Sequence, residues 1–350
     1  MKTIKDIDIK GKTVLVRVDY NVPLKDGKVT SDLRIRASLP TIEYLREHEA
    51  GKIILISHLG RPEGRDDSLS LSPVADRLGK LTTRVGFVDE VAGPKVEEAI
   101  AKMKPGDILL LENLRFFPGE ESNDSNFISS IVDATKADLY VQDGFAVIHR
   151  AHASTDAIKD HLPVYAGLLL EKEVTNLESA TKHPDKPVLV IIGGAKVDDK
   201  QPLIDKFLKK SDHIFIGGKI AADGYKSSDD KIYVAEDFDE NGAGAKLDIG
   251  PLSTVKLANY ITDAKTIIWN GLLGYAEDPA YATASTIAAE MIGEKQDATT
   301  IICGGDTTGF VEHLMEDHSN LHYSLVSTGG GAALEFLLGK SLPGLESIKK

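Results

Sequence analysis

The sequence predicts an α/β fold with two doubly wound parallel-sheet domains joined by a hinge helix. Three observations on the 350-residue chain predict it. Short apolar runs rich in β-branched residues alternate with amphipathic segments, as in parallel sheets that are covered on both faces. The chain is longer than one hydrophobic core ordinarily supports. A helical pattern separates its two halves.

Each half contains its own series of strands. Apolar runs predict strands in the first half at 13 to 18, 52 to 57, 107 to 112 and 138 to 143, and in the second half at 187 to 194, 213 to 218, 266 to 271, 299 to 305 and 323 to 331. Between the halves, apolar residues recur at helical spacing before a break at His183-Pro184: Leu168, Leu169, Val174 and Leu177. This segment is therefore expected to be a helix that links two domains.

Composition limits the kinds of partner. The chain has 42% hydrophobic residues, 27% charged residues and a formal net charge of -13, which is typical of a globular protein and unfavourable for nucleic acid or anionic membranes. Its first residues lack an apolar signal-peptide core, and no apolar run reaches the length of a membrane helix, so we expect a cytoplasmic protein. The single cysteine, Cys303, follows an apolar run and is interpreted as a core residue.

The two halves end their strands differently. Strands of the second half end in glycine: Gly193-Gly194, Gly217-Gly218, Gly271, Gly304-Gly305 and Gly329-Gly330-Gly331. Such ends expose backbone N–H groups before helices and predict a nucleotide phosphate site. Strands of the first half end in polar and basic residues: Asp19, Asn21, His58, Arg61, Arg115, His149, Arg150 and His152. Clustered arginine and histidine favour a small, multiply charged anion such as a phosphorylated carboxylic acid.

Each motif taken singly also has a structural interpretation. Asp19 and Asn21 suit a solvated turn as well as a sugar-acid hydroxyl. GGAK at 193 to 196 is neither a Walker loop nor a dinucleotide fingerprint, and Lys196 by itself suits an exposed helix start. Asp306 suits an N-cap, or a ligand for Mg²⁺ bound to nucleotide phosphates. Repetition of the pattern at several strand ends favours the functional interpretation.

The set of motifs resembles the phosphoglycerate kinase family nearly from end to end. RVDYNVP, DLRIRASLPTI, SHLGRP, ENLRF, HRAHAST, GGAKVDDK, WNG, GGDT and STGGGAALEFLLGKSLPG occur in the order seen in that family. The resemblance implies an N-terminal phosphoglycerate-binding domain at 1 to 163, an interdomain helix and linker at 164 to 186, a nucleotide-binding domain at 187 to 335, and a tail at 336 to 350 that returns to the first domain. It also implies the use of ATP or ADP with Mg²⁺. A monomer is expected because the sequence shows no obvious apolar surface stripe.

The resemblance also implies roles for individual residues. The expected phosphoglycerate ligands are Asp19, Asn21, Arg34, His58, Arg61, Arg115 and Arg150. The expected nucleotide ligands are Gly193, Gly194, Lys196, Lys200, Gly217, Asn270, Glu277, Gly305, Asp306 and Thr307, with Asp306 also on the metal and Glu277 on the ribose. Charge on the transferred phosphoryl group is expected to be stabilised by Arg34, Lys196, Gly304 and Gly330.

Departures from the family pattern fall mostly in the second half. The region from Lys219 to Leu247 is shorter than usual, and Lys219 replaces a glycine that in the family lies against the adenine. Leu272, Ala276 and Ala284-Ser285 replace the usual proline, phenylalanine and Gly-Thr, and QDGFAVIHR at 142 to 150 also departs. The resemblance thus leaves two hypotheses, an active kinase and a binding protein with an eroded adenine pocket. A nicotinamide-dependent dehydrogenase is disfavoured because the G-x-G-x-x-G fingerprint is absent.

Overall fold

The computed structural model describes residues 1–348, apart from the side chain of Asp317. The chain divides into two compact units. The N-terminal unit comprises Met1–Lys172 and Ser341–Lys350, and the C-terminal unit comprises Glu173–Lys340. The sequence places the domain boundaries at 163, 187 and 335, whereas the two units divide after Lys172 and after Lys340.

The N-terminal unit is built on a parallel sheet flanked by helices. Its strands are β1 (Thr13–Arg17), β2 (Leu24–Lys25), β3 (Lys28–Val29), β4 (Lys52–Ile56), β5 (Val85–Val88), β6 (Asp107–Leu111), β7 (Leu139–Gln142) and β8 (Val164–Ala166). Its helices are α1 (Leu33–Glu47), α2 (Ser72–Gly79), α3 (Pro94–Ala101), α4 (Pro118–Glu121) and α5 (Ser125–Thr135). The sheet order is β5-β6-β4-β1-β7-β8, with β2 and β3 forming a separate hairpin.

The register of this sheet aligns the strand ends. Arg17, the last residue of β1, lies opposite Ile56 of β4 and Gln142 of β7. The residues that follow all three strands therefore leave the sheet at one edge. The sheet itself is fully apolar at its centre, where Val14, Val16 and Ile53 are among the buried residues, so polar side chains concentrate at that edge.

The C-terminal unit repeats the same architecture. Helix α6 (Leu168–Lys182) begins just after β8 and runs through the point where the chain passes from one unit to the other. The strands are β9 (Val188–Ile192), β10 (His213–Ile216), β11 (Ile232–Val234), β12 (Phe238–Glu240), β13 (Lys246–Ile249), β14 (Thr266–Asn270), β15 (Thr299–Cys303) and β16 (Leu325–Val326). The helices are α7 (Val197–Phe207), α8 (Gly218–Ala222), α9 (Pro251–Asp263), α10 (Thr283–Glu294), α11 (Gly305–Asp317) and α12 (Gly330–Leu337).

The second sheet also has aligned ends. Its order is β11-β10-β9-β14-β15-β16, all parallel. Asn270 at the end of β14 lies opposite Ile192 of β9 and Cys303 of β15. The predicted α/β class with two parallel sheets is confirmed. Every predicted strand contains an observed one, whereas β5, β8, β11 and the two hairpins were not predicted.

The segment that the sequence marked as shortened is ordered into small elements. After α8 come β11 and the antiparallel hairpin of β12 and β13. Asp237 at the start of this hairpin accepts hydrogen bonds from the N–H groups of Leu252 and Ser253, both 2.8 Å away, in the first turn of α9. The hairpin thereby caps the helix that follows it, and its carboxylate satisfies donors that have no partner within a helix.

The C-terminal tail packs against the N-terminal unit. Helix α13 (Pro343–Glu346) begins two residues after the tail enters that unit. The N–H of Gly344 donates to the carbonyl of Ile148 at 3.0 Å. Leu342, Leu345 and Ile348 are buried. Three apolar side chains of the tail therefore belong to the core of this unit.

Candidate functional site

A basic pocket lies at the edge of the first sheet where β1, β4 and β6 end. Asp19 follows β1 by two residues and His58 follows β4 by two. Arg115 lies on the short 3₁₀ turn Leu114–Phe116, which follows β6. All three side chains are buried even though they are charged or titratable. Buried groups of this kind need partners, and these have them.

Asp19 and Asn21 bind other residues of the pocket and hold them in place. Arg34, in the first turn of α1, donates from Nη1 to Asp19 Oδ2 at 2.5 Å. The N–H of Asn21 donates to Asp19 Oδ1 at 3.2 Å, and Asn21 Oδ1 accepts from the N–H of Gly60 at 2.9 Å. Asp19 thus orients the Arg34 guanidinium, while Asn21 anchors the loop that follows β4.

Burial and the arginines of the pocket lower the pKa of two histidines, His58 and His152. Burial lowers the pKa of His58 well below its usual range, and four guanidinium groups lower it further: Arg17, Arg115, Arg150 and Arg34. Burial lowers the pKa of His152 to about 4, again with help from arginines. Both imidazoles are therefore neutral near pH 7, and the positive charge of the pocket comes from arginine.

One donor in this pocket lacks a protein acceptor. Arg115 donates from Nη1 to the carbonyl of Gly60 at 2.6 Å and pairs through Nε with Glu121 at 3.1 Å. Its buried Nη2 has no partner among the described residues. A buried guanidinium nitrogen without an acceptor is costly, and an anion placed in the pocket would satisfy it.

The structure gathers most of the residues that the sequence predicted here. Asp19, Asn21, Arg34, His58, Arg115 and Arg150 are joined by the contacts and charge effects just described. Arg61 is exposed on the loop after Gly60, and none of those contacts includes it. His149 accepts a hydrogen bond from Arg150 Nε at 3.3 Å. Six of the predicted phosphoglycerate ligands are thus linked by these contacts and charge effects, and Arg61 makes none of the contacts.

Four buried residues of this pocket were not predicted: Arg17, Ser57, Glu120 and Ser154. Arg17 is the last residue of β1, an apolar strand that lies between two others in the sheet. A charged residue inside such a run was the available signal, because an arginine is almost never fully buried without partners. No local pattern marks the other three.

The glycine-rich edge of the second sheet is different in kind. The N–H groups at the strand ends mostly donate within the protein: Gly193 to Asn270, Gly194 to Leu272, Gly217 to Ile192 and Gly218 to Leu273. The N–H of Gly271 donates to Thr307 Oγ1 at 2.8 Å. The expectation that all of these glycines offer free amides to phosphate is therefore wrong for these five. Their N–H groups hold neighbouring strand ends together instead.

These glycines are needed because the strand ends touch. A Cβ on Gly193 would overlap the carbonyl oxygens of Leu272 and Gly271, and one on Gly218 would lie 2.6 Å from the carbonyl oxygen of Leu272. Gly271 also has φ of 103°, which side chains rarely adopt. Backbone meets backbone here without side chains between.

Donors for an anion remain at the starts of two helices. The first amides of any helix have no acceptor within it, and α11 begins at Gly305 after Gly304, whose φ is 97°. A Cβ on Gly330, the first residue of α12, would lie 2.9 Å from the nitrogen of Gly305. The two helix starts therefore lie side by side. This juxtaposition favours bound phosphate.

A buried polar chain supports this edge. Lys200, in α7, donates from Nζ to Asn270 Oδ1, and Asn270 Nδ2 donates to Cys303 Sγ at 3.3 Å. Burial lowers the pKa of Lys200. Asn270 and Thr307 are buried. The structure thus brings Lys200, Asn270, Thr307 and the glycines to one edge, and makes Cys303 a core neighbour of the site, as its sequence context indicated.

The other predicted nucleotide residues are exposed. Lys196 lies immediately before α7, Asp306 in the first turn of α11, and Glu277 on the loop after β14. Lys219 pairs with Asp223 one turn along α8, at 2.6 Å. Ser285 Oγ accepts from the N–H of Leu273 at 3.0 Å, so this departure from the family pattern is integrated into the loop after β14.

Neither a membrane span nor a metal cluster is found among the described residues. Within residues 1–348 no helix is both long and apolar enough to cross a membrane. The same part of the chain contains no cluster of three or more histidine, cysteine or acidic side chains placed to hold a metal ion. A lone carboxylate at Asp306 nevertheless fits Mg²⁺, which binds one or two carboxylates together with phosphate oxygens and water.

Known proteins resemble this chain over nearly all its length. The sequence model of phosphoglycerate kinase matches residues 4–233 and 222–340. Phosphoglycerate kinases from Fervidobacterium nodosum and Dictyoglomus turgidum are each 41% identical, over 396 and 395 aligned positions that cover 99% of this chain and 98% of theirs. These alignments exceed the chain in length, so they open gaps in it, and the family match breaks within the shortened segment.

Solved structures agree with the sequence comparisons. A phosphoglycerate kinase from Pyrococcus horikoshii superposes with a TM-score of 0.87 at 26% identity, covering 100% of this chain and 98% of that one. One from Coxiella burnetii gives a TM-score of 0.80 at 31% identity, covering 99% and 98%. The resemblance carried by the motifs is thus matched in sequence and in structure.

Proposed function

The chain belongs to the phosphoglycerate kinase family, and we propose that its two units bind the two substrates of that reaction separately. The family reaction moves a phosphoryl group between 1,3-bisphosphoglycerate and ADP, giving 3-phosphoglycerate and ATP, so the chain is a phosphotransferase. Nothing favours the alternatives of an impaired binding protein or a dehydrogenase. The proposal concerns which residues do the work.

The N-terminal pocket is proposed to hold the phosphoglycerate. The observation that carries this assignment is the convergence of Arg34, Arg115 and Arg150 on a buried His58, with one Arg115 nitrogen lacking a partner. Guanidinium groups bind carboxylate and phosphate oxygens in pairs. Asp19 and Asn21 border the same pocket. Arg61, on the exposed loop, is proposed to reach a bound ligand from outside.

The glycine-rich edge of the C-terminal unit is proposed to hold the nucleotide. The adjacent helix starts at Gly305 and Gly330 supply amides for phosphate oxygens. Lys196, Lys200 and Thr307 supply further donors, while the exposed Glu277 is assigned to the ribose. Gly193, Gly194 and Gly217 contribute by allowing close approach of the backbone, and Asn270 by holding Lys200.

Magnesium is proposed to bind with the nucleotide at Asp306. The ion would supply charge neutralisation for the phosphates. Asp306 lies in the first turn of α11, next to Gly305. A lone carboxylate at that place suits a metal whose other ligands come from phosphate and water.

The chemistry of the step suits a pocket whose positive charge comes from arginine and in which His58 and His152 are neutral. A β-phosphate oxygen of ADP forms a bond to the phosphorus of the acyl phosphate, while the bond from phosphorus to the carboxyl oxygen breaks. The leaving group is a carboxylate, so it needs no proton. Catalysis then depends on holding the two groups in line and on stabilising charge on the equatorial oxygens. Arg34, Lys196 and the amides near Gly304 and Gly330 are proposed for that role.

Transfer requires the two bound groups to meet away from water. We propose that substrate binding closes the protein about residues 164 to 190, which include α6. Small-angle scattering should show a smaller radius of gyration when both substrates are present than with either alone. The protein is further proposed to be monomeric and cytoplasmic. Light scattering on the purified chain tests the monomeric state directly.

The substrate assignment is tested by separating the two binding events. Arg115→Met should weaken 3-phosphoglycerate binding at least about tenfold, since a charge-assisted hydrogen bond is worth roughly 1.5–3 kcal/mol, and should leave ADP binding unchanged. Calorimetry measures both. Arg84→Met is the matched control, because Arg84 is exposed. Equal losses for both ligands, or a loss in neither, would contradict the assignment, as would absent ATP formation by the parent protein in a coupled assay.

A further inference from the structure

We propose that a buried chain of hydrogen bonds from Glu120 through Ser154 and Arg17 fixes His58 as the tautomer that carries its proton on Nε2 and offers that N–H to the phosphoglycerate. The last step rests on the proposed function of the N-terminal pocket. The earlier steps rest only on the geometry. Glu120 and Ser154 are thereby positioning residues that act on the pocket through Arg17.

The chain of side chains is closed to water. Glu120 and Ser154 are fully buried, Arg17 is 1% exposed and His58 4%. The four come from separate parts of the N-terminal unit: α4, the loop between the 3₁₀ turns Phe145–Val147 and Ala157–Asp160, the end of β1 and the loop after β4. With no water to exchange partners, each hydrogen bond keeps the direction that its donors and acceptors dictate.

The direction of the first link follows from the carboxylate. Glu120 Oε1 lies 2.6 Å from Ser154 Oγ, and Glu120 Oε2 accepts from the N–H of Ser154 at 3.1 Å. A carboxylate only accepts, so the hydroxyl gives it its single proton. Ser154 Oγ is then left with lone pairs, and it accepts from Arg17 Nε at 2.9 Å. Tyr140 fixes the same serine by donating to its carbonyl.

The second link determines the histidine. Arg17 donates from Nη1 to the carbonyl of Val18 at 2.6 Å, and its Nη2 lies 3.2 Å from His58 Nδ1. A guanidinium has donors and no acceptor. His58 Nδ1 must therefore be the acceptor, and a neutral imidazole that accepts at Nδ1 carries its proton on Nε2.

The surrounding charges exclude the doubly protonated ring. Four arginines face His58 and burial adds to their effect, which together keep its pKa well below the usual range. The Asp19 carboxylate, whose Oδ1 is 3.8 Å from His58 Nδ1, is already paired with Arg34 through Oδ2. A proton on Nδ1 would also point at the N–H of Arg17.

Glu120 explains why an arginine can be buried here. Its Oε1 is 3.9 Å from Arg17 Nη2, and the hydroxyl of Ser154 connects the two groups more closely. Without this carboxylate the Arg17 cation would be uncompensated, which is strongly unfavourable in a protein interior. The carboxylate thus holds the guanidinium in the one orientation that meets His58.

The tautomer is measured directly by NMR. Long-range proton–nitrogen correlation spectra of protein labelled with ¹⁵N-histidine distinguish protonated from unprotonated ring nitrogens, and His58 is identified as the signal lost in His58→Gln. We expect Nε2 protonated and Nδ1 unprotonated throughout pH 6 to 8. A proton on Nδ1, a rapid mixture of tautomers, or titration within this range would overturn the proposal.

The positioning role is tested by cutting the chain at its serine. Ser154→Ala should convert the His58 signals to those of a tautomer mixture and raise KM for 3-phosphoglycerate about tenfold while changing kcat less. Ser130→Ala is the matched control, since Ser130 is exposed and bonds only to its own helix. Glu120→Gln should act in the same direction. An unchanged tautomer in both variants would overturn the role of the chain.

The outcomes separate this proposal from the assignment of the pocket. If His58 has the expected tautomer but its signals do not respond to 3-phosphoglycerate, the hydrogen-bond chain is supported and the assigned ligand is wrong. If the ligand perturbs the signals but the ring carries its proton on Nδ1, the pocket assignment is supported and the chain is overturned.

Discussion

The two units build their pockets in opposite ways at the same place in the fold. At the edge of the first sheet, long charged side chains are buried and held by hydrogen bonds, as Arg17 and Arg115 show. At the edge of the second sheet the corresponding residues are glycines, and Gly193, Gly218 and Gly271 allow main-chain segments to contact one another. The first pocket therefore depends on the hydrogen bonds of its side chains, and the second on close contact between main-chain segments.

This difference predicts where substitutions do their damage. Removing a partly exposed, ligand-facing side chain of the first pocket, such as that of Arg34, should cost activity more than stability, because the sheet beneath it is packed by apolar residues. Adding a single carbon to the second should cost stability first, because the neighbours are main-chain atoms that cannot rotate away.

The largest effect is expected for Gly193→Ala. The new methyl would overlap the carbonyl oxygens of Leu272 and Gly271, so we expect the free energy of unfolding of the C-terminal unit to fall by at least about 3 kcal/mol. Urea denaturation followed by the fluorescence of Trp269, the single tryptophan, measures it, since Trp269 is buried in β14.

Gly242→Ala serves as the control within the same unit. An added Cβ there meets no heavy atom within 4 Å, and the change should stay within about 0.5 kcal/mol. Equal effects at the two glycines would break the comparison between the pockets.

The next largest effect is expected on catalysis at Arg34. Arg34→Ala should lower kcat about 100-fold, as removal of a group that stabilises transition-state charge commonly does, with a smaller change in KM for 3-phosphoglycerate. Stability should change less than kcat, because the Arg34 side chain is one-third exposed, although the buried Asp19 loses its ion-pair partner. Steady-state kinetics in the coupled assay, together with thermal unfolding, measure the two effects.

Arg36→Ala is the paired control for this prediction. Arg36 lies on the same helix, is half exposed and pairs with Asp32 at 2.8 Å, so its loss should leave kcat within about twofold, as exposed ion pairs contribute little. If Arg34→Ala raises KM and leaves kcat unchanged, this arginine acts in ground-state binding and the prediction is contradicted.

The smallest effect concerns a buried carboxyl in each unit. Burial raises the pKa of Asp143 to about 7 and that of Asp248 to about 6. Asp143 Oδ1 accepts from the N–H of Leu169 at 3.0 Å at the start of α6, and Asp248 Oδ2 from that of Ala284 at 3.0 Å in α10. Both carboxyls therefore hold the starts of helices.

Raised pKa values fix the sign of the pH dependence. An unfolded aspartate loses its proton near pH 3.9, so between pH 4 and the folded pKa the folded state binds more protons and stability falls as pH rises. Relative to the parent, the unfolding free energy of Asp143→Asn should rise by about 1.4 kcal/mol per pH unit between pH 4.5 and pH 7 and level off above pH 7.

Asp248→Asn sharpens this prediction, because its gain in unfolding free energy relative to the parent should level off one pH unit lower. Urea titrations at several pH values measure both differences. Differences that do not vary with pH would contradict the raised pKa values of these two carboxyls.

Much of the fold could be predicted from the sequence, as could the meeting of Asp19, Arg34 and His58 at one sheet edge. Apolar runs such as that of β9 (Val188–Ile192) can be recognised as strands, because a strand that is buried on both faces contains no polar residue. Strand ends were equally clear, and register then placed His58 beside Asp19.

What could not be predicted depends on contacts distant in sequence. Ser154 meets Arg17 across 137 positions, and no local pattern announces such a bond. The glycines misled the interpretation for a related reason. A glycine that exposes its amide and one that packs against a neighbouring main chain look the same in sequence, and only the positions of Leu272 and Gly271 distinguish them.

The packing of the C-terminal tail has a consequence for synthesis on the ribosome. Leu342, Leu345 and Ile348 complete the hydrophobic core of a unit whose other residues end at Lys172. The first unit to emerge from the ribosome is therefore the last to be finished, since its final core residues are translated after the whole second unit. A nascent chain stalled before residue 341 would carry a unit that lacks part of its interior.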